Sequence, residues 1–169
     1  MTRINCGIPV EVLSDWHLIA EIDEIPTVLD VYHNRILKGI TDFRDIPKNF
    51  TLGKGHILFF LNKLYYLHKR FKELALECIK RDLVAQTERK DLEFLYKGFN
   101  NIKLVHYLDY APTQKDRDLL VTRISTRIIE SDKSPWYYGK RITKEEAIEK
   151  LLTVGKIVEN KDNQLNLYE

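Results

Sequence analysis

The residues best suited to chemistry gather at the start of the chain. Met1 is followed by a small residue, Thr2, a pairing after which the initiating methionine is ordinarily trimmed, so that the Thr2 α-amine becomes the terminus. An α-amine titrates near 7.7–8.0, so an appreciable fraction is neutral and nucleophilic at physiological pH without help from burial. If Met1 is retained, that nitrogen is locked in a peptide bond and cannot form an imine. Further along, His17, Glu21 and Glu24 share one face of a helix beginning near Ser14 or Asp15, because residues advance about 100° each. That face borders the core stripe, so a carboxylate on it is partly sheltered and suited to orienting water or stabilising a developing positive charge. His17 and Glu21 also have the i, i+4 spacing of two metal ligands, but no third accompanies them. His33, His56, His68 and His106 are scattered, so no metal and no cofactor is assigned.

The elements that must hold these groups are helical. Leu18, Ile22, Ile25 and Leu29 repeat at core-facing spacing, with Trp16, Ala20, Asp23 and Thr27 on the opposite side, and Pro26 predicts a kink. A long helix is expected from Gly55 to Arg81, burying Ile57, Phe60, Leu61, Leu64, Leu67, Phe71, Leu74 and Cys78. Lys69-Arg70-Lys72 and Lys80-Arg81 read as its solvated face. Thr87 caps a short helix closed by Gly98. Pro112-Thr113 opens another, with Leu120, Ile124 and Ile128 inward and Arg123 and Arg127 adjacent at i, i+4. Thr143 and Glu146 form a capping box for a last helix through Leu152. The expected fold is mainly α, with no convincing sheet: one compact domain over residues 1–158 and a polar tail over 159–169.

At 169 residues the chain can bury a core of its own, and no run is long and apolar enough to span a membrane. Cys6 and Cys78 give no disulfide framework and read as buried reduced thiols, which points to the cytoplasm. The net charge of only +2 is weak for a protein that lives on the phosphate backbone. Nothing fixes an oligomeric state.

Three blocks carry a family resemblance. Met1-Thr2-Arg3-Ile4-Asn5 with Leu13 to Glu21 and Glu24-Ile25-Pro26, the stretch from Phe50 to Arg81, and Asp109-Tyr110, Pro112 and Trp136-Tyr137-Tyr138-Gly139-Lys140 follow one another in the order found in phage endonuclease V, the pyrimidine-dimer DNA glycosylases. The chain resembles that family over most of positions 1–140, with an added C-terminal helix. The resemblance implies that Thr2 attacks the sugar carbon C1′, expels the base and leaves an imine that permits strand cleavage, with Glu24 assisting. It further implies that Arg3, His17, Arg123 and Arg127 hold the phosphodiester or orient the sugar. Glu21 and Lys140 join the expected substrate contacts. Trp136, Tyr137 and Tyr138 either stack on a base or ribose or plug the core. Gly53-Lys54-Gly55-His56 is either a phosphate-cradling turn or a structural one.

The departures lie on the outer stripe of the first helix. Where the family carries a glutamine and two arginines that grip kinked duplex, this chain has Trp16, Asp23 and Thr27. The expectation is therefore an N-glycosidic-bond-cleaving enzyme with a changed substrate. One alternative is a phage counter-defence N-glycosidase that destroys a small nucleotide immune signal such as a cyclic dinucleotide, held by Trp16 stacking and Arg3, Arg123 and Arg127. Another is a silent protein that sequesters a nucleotide.

Overall fold

A computed structural model describes residues 4–53, 55–83, 97–100 and 102–154. Thr2, Arg3, Lys54, most of the helix expected after Thr87 and the 159–169 tail lie outside these residues. The described chain is mainly helical. Helix α1 (Asp15–Leu37) buries Leu18, Ile22, Ile25, Val28, Leu29 and Tyr32, the stripe that its periodicity predicts. The extended Ser14 starts it, but the Ser14 hydroxyl bonds His17 Nδ1 at 2.7 Å instead of capping a backbone N–H. The helix runs through Pro26, whose ring is buried. It stops at Gly39, where φ is +73° and the amide returns to the Ile36 carbonyl.

The single helix expected over 55–81 is instead two, α2 (Gly55–Phe60) and α3 (Leu64–Lys80). A distant segment takes over the backbone bonds at the break. Lys63 pairs with Tyr107 in an isolated antiparallel bridge, and the Tyr66 amide donates to Leu108 O at 3.4 Å in place of an in-helix partner. Helix α3 still buries Leu64, Leu67, Phe71, Leu74 and Cys78, each apolar side chain contributing roughly 1.5–3 kcal/mol. Three charged residues share that buried side, Glu77 at 5% exposed and, contrary to the expected solvated face, Arg70 at 4% and Arg81 at 6%.

Helix α4 (Gln114–Glu130) opens with a capping box of Thr113 and Asp116, and α5 (Lys144–Leu152) with one of Thr143 and Glu146. Between them lies a small hairpin that the sequence reading does not foresee, β1 (Trp136–Tyr137) against β2 (Lys140–Arg141), antiparallel with Tyr137 opposite Lys140. Its two-residue turn, Tyr138-Gly139, has φ of +50° and +70°, the doubly left-handed geometry that fits strand twist. One hydrophobic cluster runs from Ile4 to Val154 and draws on all five of these helices. Cys6 and Cys78 are free and buried within it. Among the described residues no helix is long and apolar enough to cross a membrane.

Candidate active site

Glu21 and Arg70 hold equivalent places in two apolar stripes, Glu21 three residues after Leu18 and Arg70 three after Leu67, so the packing of α1 on α3 turns both charges inward. A charge at such a place is tolerated only with a partner. Arg70 supplies a two-pronged one: Nε donates to Glu21 Oε1 at 2.8 Å and Nη2 to Oε2 at 3.0 Å. Asn5 Nδ2 adds a third bond to Oε2 at 2.9 Å. Glu21 is thus 0% exposed and spoken for, which corrects its assignment as a substrate contact; it builds the site from beneath.

Asn5 joins this pair to α4. Its carbonyl accepts from Arg70 Nη2 at 3.3 Å, and its Oδ1 accepts from Arg123 Nη2. Next to it, the Ile4 amide donates to His56 Nε2 at 3.3 Å, so α2 pins the chain where it emerges from the amino terminus. Gly55 shapes that pin. A Cβ there would lie 2.6 Å from Thr51 Cγ2, which gives the glycine turn a structural reason for its composition.

Arg123 and Arg127 stand one turn apart on α4, Arg123 half-buried against Asn5 and the exposed Arg127 lining a pocket with Trp16 and His17 of α1. Burial and then the Arg127 charge bring Arg123 down to about 10, while Glu21 and Glu24 pull the other way. Burial, then Arg123 and Arg127, push His17 down to about 4. Burial and then Arg123 push His56 to about 3. Both imidazoles are therefore neutral near pH 7 and serve as hydrogen-bonding groups. The half-buried Glu24 lies within the field of Arg123. Such an arrangement can seat an anion beside a carboxylate, the combination needed to hold a phosphate while positive charge develops nearby.

Trp16 and His17 at the start of α1 line a pocket of about 250 Å³ together with Arg127 and Lys133. The aromatic hairpin divides the expected contacts. Tyr137 is 7% exposed and donates to Glu11 O at 2.6 Å. The Tyr138 hydroxyl donates to Glu77, and its ring centroid lies 4.2 Å from the Arg81 guanidinium carbon. Of the two readings, Tyr137 takes the buried one, whereas Tyr138, 41% exposed, lies at the surface with its hydroxyl tied to Glu77. Trp136, 37% exposed, and the exposed Lys140 remain at the surface, and Arg141 covers the Trp136 ring at 5.5 Å.

Arg81 organises that corner. All five of its N–H groups are used, on Glu77 Oε1, Leu13 O, Asp15 Oδ1, Val10 O and Glu11 O, at 2.7–3.2 Å. Asp15 also accepts the Tyr138 and Gly139 amides at 3.2 Å each, which ties the hairpin to the start of α1.

The sequence reading names His17, Glu24, Arg123 and Arg127 as site residues but misses Asn5, which bonds Arg123, and the Arg70 and His56 groups that fix the chain around Asn5. A signal for Arg70 existed: a charge on a core stripe demands a buried counter-charge, and Glu21 is the matching anomaly on α1. Among the described residues no group of three or more metal-ligating side chains occurs. Residues 1–91, which contain Asn5, Glu21, Glu24, His56 and Arg70, match the family model described as pyrimidine dimer DNA glycosylase.

Proposed function

The chain belongs to the pyrimidine dimer DNA glycosylase family, and we propose that it cleaves the N-glycosidic bond of a nucleotide unit with Glu24 as the acting carboxylate, on a substrate other than tightly gripped duplex. The observation that carries this reading is the half-buried Arg123, with Arg127 one turn away and Glu24 in its field; burial first, and then the crowding of the two arginine charges, lowers Arg123 and keeps His17 neutral. A phosphodiester relieves that crowding, and the sugar it carries then meets the carboxylate. As the base departs, the positive charge gathering at C1′ is opposed by Glu24 in a partly water-excluded setting, where electrostatics count for more than in bulk water.

Thr2 supports a second, covalent step if its amine is free. The chain enters the cluster at Ile4, two residues later, and successive Cα atoms are only about 3.8 Å apart. The amine nitrogen bonds C1′ as the bond to the base breaks, and the base leaves with a proton. The adduct opens to an imine, and loss of the 3′ phosphate by β-elimination completes strand cleavage. Arg3 falls beside this amine in sequence and shares the phosphate-holding role.

The changed substrate is argued from α1. Its outer side carries half-exposed Trp16, then Asp23, Thr27 and Asp30, with no cation among them. Two missing phosphate contacts flatten the salt dependence of duplex binding by about two units of slope. The same stripe favours a small nucleotide, since an exposed indole stacks on a base without needing a backbone to grip.

Chromatography for free base, run over ultraviolet-damaged duplex, uracil-containing DNA, modified phage DNA and a panel of cyclic dinucleotides, tests the activity. Base release that Glu24→Gln abolishes without loss of fold supports it, and equal release by that variant refutes it. Borohydride captures a covalent adduct only if the amine route operates. Tight, salt-sensitive binding of ultraviolet-damaged duplex with lesion-dependent nicking overturns the changed substrate. Stoichiometric nucleotide protection with no base released would make the protein a sequestering one.

A further inference from the structure

The pocket at the start of α1 extends beyond the groups used for cleavage. Its wall is the Trp16 indole, 37% exposed, and its floor is Ile128, 5% exposed. Ser131 ends α4 at the rim, where its Oγ accepts the Lys133 amide at 3.2 Å and so folds the chain back to bring Lys133 to the pocket. Arg127 lines it as well, one turn along α4 from Arg123. The pocket therefore combines a flat aromatic wall, a short apolar floor and two cations. At 250 Å³ it falls below the roughly 300–1,000 Å³ of sites for drug-sized ligands, so it suits one nucleobase with its phosphate and not two nucleotides.

Resting on the reading that Glu24 and Arg123 hold the unit being cleaved, we propose that this pocket is a second nucleotide subsite: it stacks the neighbouring base of the same substrate on Trp16 and holds the adjoining phosphate at Arg127 and Lys133. Arg127 borders both places, since it lines the pocket together with His17 and its charge acts on Arg123 one turn back along α4. A phosphate at Arg127 is then the link between two nucleotides, one in each subsite. The substrate this predicts is a unit of at least two nucleotides whose bases are free to splay apart, as in single-stranded or cyclic dinucleotide form. Stacking on an indole is tolerant of base identity, so selectivity for the second base is weak.

The chain has two tryptophans, and Trp136→Phe leaves Trp16 as the sole indole reporter. Adenosine 5′-monophosphate titrated into that variant is expected to quench its fluorescence saturably, whereas ribose 5-phosphate competes without quenching. Lys133→Ala is expected to weaken the monophosphate roughly 5- to 10-fold while leaving adenosine unchanged, because only the phosphate contact is lost. Trp16→Ala should raise KM for a dinucleotide about 10-fold or more with little change in kcat. Absence of quenching at millimolar monophosphate, or a Lys133→Ala affinity equal to that of the parent, overturns the subsite. Glu24→Gln separates the two proposals: quenching without base release in any protein sinks the activity and spares the subsite, and base release without quenching does the reverse.

Discussion

Arg70→Met tests the support beneath the site most directly. It removes the fork on Glu21, with bonds of 2.8 and 3.0 Å, and the 3.3 Å bond to the Asn5 carbonyl. Glu21, 0% exposed, then keeps only the Asn5 amide. Removing one partner of a buried ion pair costs about 3–5 kcal/mol, because the remaining charge is left without solvent or counter-ion. At roughly 2–4 °C per kcal/mol for a chain of this size, the melting temperature should fall by about 6–20 °C. The double variant Glu21→Leu/Arg70→Met buries no charge. Its main defect is the Asn5 Nδ2 donor, left buried without an acceptor at a cost of about 1–3 kcal/mol, since the Asn5 carbonyl still accepts from the Ile8 amide. The second substitution should therefore restore stability to the first, as read by urea denaturation at constant m-value. Base release should stay impaired in both, because Asn5 no longer has a firm anchor from which to hold Arg123. A loss below about 1 kcal/mol for Arg70→Met, or a double variant at least as unstable as the sum of the two single ones, would refute the ion-pair account.

Three further outcomes follow from the same geometry. His17 and His56 are depressed to about 4 and about 3 from an ordinary 6.5, so their stabilising contribution is present above pH 6.5 and lost as pH falls towards those values. At pH 5 the loss is on the order of 2 kcal/mol per histidine, and His17→Gln should flatten that part of a stability-versus-pH curve. Arg81→Lys offers three donors where five are used, so at least two of its acceptors lose a partner; chemical denaturation should show a loss of about 2–6 kcal/mol. Gly55→Ala should cost about 1–3 kcal/mol through the 2.6 Å approach to Thr51 Cγ2, and Thr51→Ser, which deletes that methyl, should recover most of it in thermal melts.

Local rules carry much of the architecture. The stripe Leu18, Ile22, Ile25 and Leu29, the inward set Leu120, Ile124 and Ile128, and the Thr143–Glu146 capping box depend on neighbours within a few turns, and the structure shows each of them. What escapes the sequence depends on partners far along the chain. Nothing near Lys63 announces that Tyr107 and Leu108 will claim backbone bonds and split the helix there. The fates of Tyr137 and Tyr138 turn on Arg81, more than fifty residues earlier. The site divides the same way. Helix spacing puts Glu24 beside His17 and Arg127 beside Arg123, but Asn5 as the joint between Arg70 and Arg123 spans distances of 65 and 118 residues.

Arg81 and Asp15 also decide how the molecule can be divided. Both lie in the stretch that matches the family model, yet the hairpin they hold begins at Trp136, and α4 and α5 share the core with α1 and α3. A fragment ending at residue 91 would leave Asp15 without the hairpin amides and expose the faces that Leu120, Ile124 and Leu151 cover. The matching half is thus not a transplantable module. A chain cut after Asp132, by contrast, yields two pieces with complementary apolar and hydrogen-bonding faces, and co-expression should reassemble them into a working whole where neither folds alone.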